Sequence, residues 1–287
     1  MTEFKNTTSG ISSSEKKTTE KLSMQTIRTE INRVDAALLD LIAERMELAQ
    51  AVRRAKSGVD VWRPSREESH VRDLVKKSGE ISPELVSRIW AELTSASLTL
   101  QGPIRLHISL AVDALTARAL VRDRFGGAIP TNTYPTESAA LAAAQADPEG
   151  VAVLPAPGGM NNWWTALGPQ GAASDMHILA GLPRTEGQVW PNAVAVSKAE
   201  KLPSGDDQSL LYIEAGDIGA LTSLQTILEN EGFTPTLRAE LETLSLYSVP
   251  EFVDSSDPRI TALQSKLKTV AVVGILPSPI PKKRNKA

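Results

Sequence analysis

Arg45 falls where an apolar side chain belongs. Apolar residues recur at Ile27, Ile31, Val34, Leu38 and Leu41, then at Leu48, Val52 and Ala55. The steps alternate four and three, so position 45 is the slot between Leu41 and Leu48. A period of about 3.5 is that of a helix packed lengthwise on another helix. A guanidinium left unpaired on such a seam costs on the order of several kcal/mol. It can reach water along its own stem, or it can meet an anion. None of these seam slots holds an acid, so a bound anionic ligand is one way to satisfy it. Lys56 follows eleven residues later, about 20° from whole turns and about 16 Å along the axis, on the same face. Ser97 and Gln101 are four apart and share a face of a later helix. Arg66 and Glu67 sit in the first turn of the helix between.

Arg28 is the remaining candidate cation. It precedes Arg45 by seventeen positions, about 25 Å on a straight helix, so one helix cannot bring both to one small ligand. A second, antiparallel copy could return Arg28 to the pocket. The helix, about 50 Å long by the same rise, is also too long for a three-helix domain to cover alone. Both points favour a homodimer with shared sites. Singly, each residue has an ordinary reading. Arg28 reads as solvated, and Lys56 as a C-terminal helix cation. Arg66 and Glu67 read as surface residues near a cap, and Ser97 and Gln101 as polar residues between helices. Only the joint arrangement is specific.

The elements that must position these side chains follow from local pattern. Met24 to Lys56 holds no Gly or Pro and predicts one long helix, broken at Ser57-Gly58. A second helix is expected from Ser65, with Ser65 and Glu68 as a capping box and Val71, Leu74 and Val75 as its buried face, ending near Gly79. Ser82-Pro83 opens a third, with a stripe at Val86, Ile89, Leu93, Ala96 and Leu100, and Gly102-Pro103 closes it. Beyond Ile104 the pattern turns to α/β. Strands are expected within Ile104–Val112 and at Val151–Leu154, Ala193–Ser197, Ser209–Glu214 and Thr269–Val273. Helices are expected at Ala114–Phe125, Ser138–Ala146 and Gly219–Gly232.

Taken in order, Ile27-Arg28-Thr29-Glu30-Ile31, Val34-Asp35, Leu41 through Ala49, and Ala55-Lys56 resemble the first helix of the all-α chorismate mutases. Pro64-Ser65-Arg66-Glu67 resembles the start of their second helix, and Ser87-Arg88-Ile89-Trp90 with Ser97 and Gln101 their third. The resemblance covers about residues 23–102. It implies an isomerase of aromatic amino-acid biosynthesis on the shikimate pathway, turning chorismate into prephenate, with no metal or other cofactor. By the same resemblance, Arg45 and the partner copy's Arg28 would bind the two substrate carboxylates. Lys56 would bind a carboxylate and the ether oxygen, Gln101 would donate a second hydrogen bond to that oxygen, and Glu67 would hold the ring hydroxyl. Arg66 and Ser97 would complete the shell. Arg63 stands where some members carry an acid, and it could pair with Glu67 or compete for substrate. A neutral amide at Gln101 donates without titrating, so turnover is expected to stay nearly flat between about pH 5 and 8, measured as rate against pH. Two other readings stay open: isochorismate-pyruvate lyase on the same fold, where the related subfamily has an apolar residue in place of Glu67, and a non-catalytic sensor of a shikimate-pathway metabolite.

The second half carries a weaker resemblance. Thr136–Ala144, Val151–Pro155 and Asn192–Val196 look like pieces of the prephenate dehydratase domain, and Gly216–Thr236, with Gly219-Ala220-Leu221, like an amino-acid-binding ACT domain. Asn192-Ala193-Val194 stands where that family has Thr-Arg-Phe, and Leu237-Arg238-Ala239-Glu240 near the place of Glu-Ser-Arg-Pro, which implies a shortened region without dehydratase activity. The expected layout is a multi-domain chain: a tail at 1–22, an all-α three-helix domain at 23–103 forming an intertwined dimer, a shortened dehydratase-like α/β region at 104–206, an ACT-like α+β domain at 207–280 with an aromatic amino-acid effector, and a basic tail at 281–287.

Composition narrows the alternatives. A net charge of −3 argues against a general nucleic-acid binder, so any anion site must be a local cluster of cations. The absence of cysteine excludes disulfides and thiolate chemistry and fits a reducing, cytoplasmic setting. His70, His107 and His177 are scattered without metal-ligand spacing, and no apolar run is long enough for a membrane span.

Overall fold

Three helices lead and a nine-stranded sheet follows in the computed structural model, which describes residues 23–56, 60–185, 190–216 and 223–282. The expected tail at 1–22, the Ser57-Gly58 break, the Gly219-Ala220-Leu221 stretch and positions 283–287 lie outside the described residues. The uninterrupted helix formers of Met24–Lys56 give a single helix, α1, of 33 residues. Helix α2 spans Pro64–Lys77 and α3 spans Pro83–Gln101. The chain divides into two compact units, residues 1–44 and 45–287.

In the first unit the α1 seam lies open, with Ile31 52% and Leu38 51% exposed. Only Ala49 of the whole helix is buried among the described residues. The start of α2 corrects the expected capping box. The helix begins one residue earlier, at Pro64, whose fixed φ suits a first turn, and Arg63 stands at the cap without a capping hydrogen bond. Glu68 is buried in ion pairs with Arg184 and Arg72 rather than turned back to a cap. Ser82 does cap α3, its Oγ accepting from Leu85 N at 3.2 Å. The stripe expected on α3 is only partly the buried one. Val86 is buried, but Ile89 is exposed, and the deeply buried positions include Ser87, Ala91 and Ser95.

After α3 come β1 (Arg105–Ile108), α4 (Ala114–Phe125), β2 (Thr131–Thr133), α5 (Glu137–Ala146) and β3 (Gly150–Pro155). A 3₁₀ turn at Trp163–Leu167, β4 (His177–Leu182) and β5 (Ala193–Ser197) complete this part. There follow β6 (Asp207–Glu214), α6 (Leu224–Asn230), β7 (Thr236–Leu241), β8 (Leu244–Val249), α7 (Pro258–Gln264) and β9 (Thr269–Pro277). The sheet runs β2-β1-β3-β5-β4-β9-β6-β8-β7. Strands β2, β1 and β3 are parallel, as the intervening helices α4 and α5 require. The last six elements follow a β-α-β-β-α-β order, and their strands lie β9-β6-β8-β7. Strands from both expected regions of the second half share this one sheet, meeting where β4 pairs with β9 at Ile178 and Gly274. A Cβ at Gly274 would sit 2.6 Å from Ile178 O, so the two backbones can approach only because that residue has none. No helix among the described residues is long and apolar enough to cross a membrane.

Candidate functional site

The helical part and the sheet part meet over one apolar cluster. Trp62, Leu98, Leu106, Phe125, Val151 and Leu182 are buried in it together. Trp62 sets its ring 5.5 Å from that of Phe125, and the Val61 amide donates to Glu149 Oε2 at 3.0 Å. These contacts fix the segment entering α2, and with it the wall of a cavity of about 280 Å³. Arg45, Lys56, Arg66, Glu67 and Gln101 line this cavity, together with Arg63, His70 and an apolar floor of Val52, Val61, Trp62 and Leu98.

Arg45 projects from α1 onto α3. Its Nη1 donates to Leu93 O at 2.6 Å and to Ser97 Oγ, while Ser97 Oγ itself donates to Leu93 O at 2.8 Å. Burial lowers its pKa, and no acid pairs with it among the described residues. Ser97 is buried and holds Arg45 in place. Lys56, Arg63 and Arg66 also have no ion pair among the described residues. His70, at the rim, is pushed below its ordinary 6.5, by partial burial first and then by the charges of Arg45 and Arg66. Four cations therefore face one small volume without carboxylates of their own, and a ligand bearing negative charge would gain from all of them.

Glu67 is not paired with Arg63. Its Oε1 accepts from Arg124 on α4 and from Arg184, two residues past β4, and its Oε2 accepts from Trp62 Nε1 at 3.1 Å. Burial alone would raise its pKa, but the charges of Arg124 and Arg184 and the hydrogen bonds from Arg124 and Trp62 outweigh it and keep the carboxyl below its ordinary 4.5. The carboxylate thus adds little negative charge to the cavity. Of the seven residues singled out in the sequence, five line the cavity and Ser97 braces Arg45 from α3. Arg28 is exposed and lies in the first unit, on the leading stretch of α1. No sequence signal marked Arg124 or Arg184. The first is one more cation in the last turn of a helix, and the second follows a proline in a loop. Among the described residues there is no cluster of three or more metal-ligating side chains.

The bifunctional chorismate mutase/prephenate dehydratase of Neisseria gonorrhoeae is 31% identical over 112 residues, 38% of this chain and 30% of that protein. The match thus spans less than a third of that relative's length. Two solved structures resemble the chain more loosely. One, described as GqqA, a novel type of quorum quenching acylase, has a TM-score of 0.43 at 16% identity, over 61% of this chain and 95% of the other. The second is the prephenate dehydratase from Streptococcus mutans, with a TM-score of 0.44 at 11% identity, over 62% and 99%. The helical stretch that builds most of the cavity, residues 27–102, matches the family described as chorismate mutase type II.

Proposed function

We propose that residues 23–103 form a chorismate mutase module, converting chorismate to prephenate in aromatic amino-acid biosynthesis. One observation carries this reading: Arg45, Lys56, Arg63 and Arg66 converge on one cavity without acid partners, while Gln101 offers a neutral amide at the same wall. The reaction is an intramolecular rearrangement. One C–O bond breaks and one C–C bond forms within the same molecule, so no second reactant is needed. The protein holds a compact conformer of the substrate, an orientation effect, and stabilises negative charge growing on the ether oxygen with donors already in place. Arg45 binds a carboxylate through its planar fork. Lys56 and Gln101 donate to the ether oxygen, and Glu67 accepts from the ring hydroxyl. In the functional form Arg28 comes from the second copy of an intertwined homodimer, and the open seam of α1 supports this.

Prephenate formed from chorismate by the purified full chain, followed by absorbance, tests the reading. Arg45→Ala should lower kcat/KM by about 10²–10³, as loss of one preorganised donor does elsewhere. An unchanged rate would remove the assignment. A second reading, a non-catalytic sensor of the same metabolite, is favoured by Arg63, a cation on the cavity wall where some members of the family carry an acid. Well-folded, inactive protein that still binds a bicyclic transition-state mimic would select it.

The layout proposed for the second half is a dehydratase-like region at 104–206 without that activity and an ACT-like domain at 207–280. The β-α-β-β-α-β order of the latter supports an effector role. Calorimetry with phenylalanine and tyrosine tests it.

A further inference from the structure

Glu67 is the only carboxylate lining the cavity among the described residues, yet its closest partners come from outside the helical part. Arg124 and Arg184 are 1% and 4% exposed, and neither lines the cavity. Arg184 Nε also donates to Glu68 Oε2 at 3.1 Å, and Arg72 Nε approaches Glu68 Oε1 at 3.4 Å. Arg72 Nη1 also lies 3.4 Å from Asp206 Oδ2, so three guanidiniums meet the two buried carboxylates and one exposed one. Arg72 Nε, Arg124 Nη2 and Arg184 Nη1 are enclosed without hydrogen-bond partners. Burying charged guanidiniums is costly, and such pairs contribute little net stability. What Arg124 and Arg184 do secure is an ionised Glu67 in one orientation. A carboxylate offers about four acceptor positions. Two on Oε1 and one on Oε2 are occupied, which leaves one on Oε2.

We propose that Arg124 and Arg184, supplied by the strand-rich region, are positioning residues for the helical cavity: they fix the Glu67 carboxylate so that its remaining acceptor meets the hydroxyl of the bound substrate. The identity of that substrate rests on the mutase reading above. The other titratable groups on the cavity wall carry no opposing charge. Arg45 and Lys56 of α1, and Arg63, Arg66 and His70 at and within α2, line the same cavity, and all are basic. In the buried cluster, Arg72 adds a further cation, and Glu68 and the Asp206 paired with Arg72 are the opposing charges.

The test uses the full chain and two readouts: turnover of chorismate against pH, and the ¹³C shift of the Glu67 carboxyl, assigned by its absence in Glu67→Gln. In the parent, turnover is flat from about pH 5 to 8 and the carboxyl stays ionised throughout. In Arg124→Met the carboxyl titrates within that window, and kcat at about pH 5 drops roughly tenfold relative to about pH 8. Arg124→Lys restores the flat profile, and in a Glu67→Gln background Arg124→Met adds no acid limb. If Arg124→Met does not fold, Arg184→Gln carries the same expectations. An equal loss of rate at every pH with the Glu67 signal unmoved, or no change in either readout, overturns the proposal. A parent that never turns over chorismate defeats the functional reading instead, and the carboxyl titration then decides the clamp by itself.

Discussion

A cation on an apolar stripe announces itself, whereas a cation that serves another residue does not. Arg45 could be read from the sequence because its type is wrong for its slot, and the structure places it on the cavity with Ser97 behind it. Arg124 and Arg184 carry no such mark, since their meaning lies in contacts with Glu67 that span 57 and 117 positions. Glu67 shows how far such partners change a residue. Its pKa is depressed in the fold, so its contribution to stability is whole above the ordinary 4.5 and is lost as pH falls through the folded value. Glu67→Gln should therefore flatten the acid side of the stability curve. It should also cost about 3–5 kcal/mol at neutral pH, because buried Arg124 loses its counter-charge and Arg184 keeps only Glu68. Urea unfolding of parent and variant from about pH 3 to 7 checks both outcomes.

At the scale of elements, long periodic helices were the most legible. Met24–Lys56 and Ala114–Phe125 have the ends the pattern gives them. The face of α3 was harder, because its buried positions include the small residues Ser87, Ala91 and Ser95 rather than large apolar ones. Ala91 and Ser95 are buried where α4 ends against them. Gly126, at φ +66°, comes so near that a Cβ would lie 2.6 Å from Ala91 O and 2.8 Å from Ser95 Cβ. Small side chains on one side and none on the other let the backbones meet. Gly126→Ala should destabilise the chain by about 1–3 kcal/mol through overpacking alone, seen as a lower denaturant midpoint with an unchanged slope. Strands β7 and β8 escaped the sequence for another reason. Their connection places Glu242, not glycine, at φ +53°, so the usual hairpin signal is missing. Strand β2 is three exposed polar residues, which no periodicity detects.

For the whole molecule, the change from helices to an α/β region near residue 104 was readable because Gly102-Pro103 ends a run of helical periodicity. That one sheet takes strands from both expected regions of the second half was not, because it turns on a single pairing at Gly274. The open seam of α1 has a consequence of its own. Leu41 is 62% and Leu48 61% exposed, and such a helix is costly to leave wet. If a second copy covers it, rate per mole of chain should decline as the protein is thinned from micromolar towards nanomolar levels. A tight dicarboxylate inhibitor, seated only in the paired form, should hold sedimentation at the heavier species through the same range. A rate strictly proportional to protein down to the lowest level assayed, with a single light species throughout, would mean that one chain suffices.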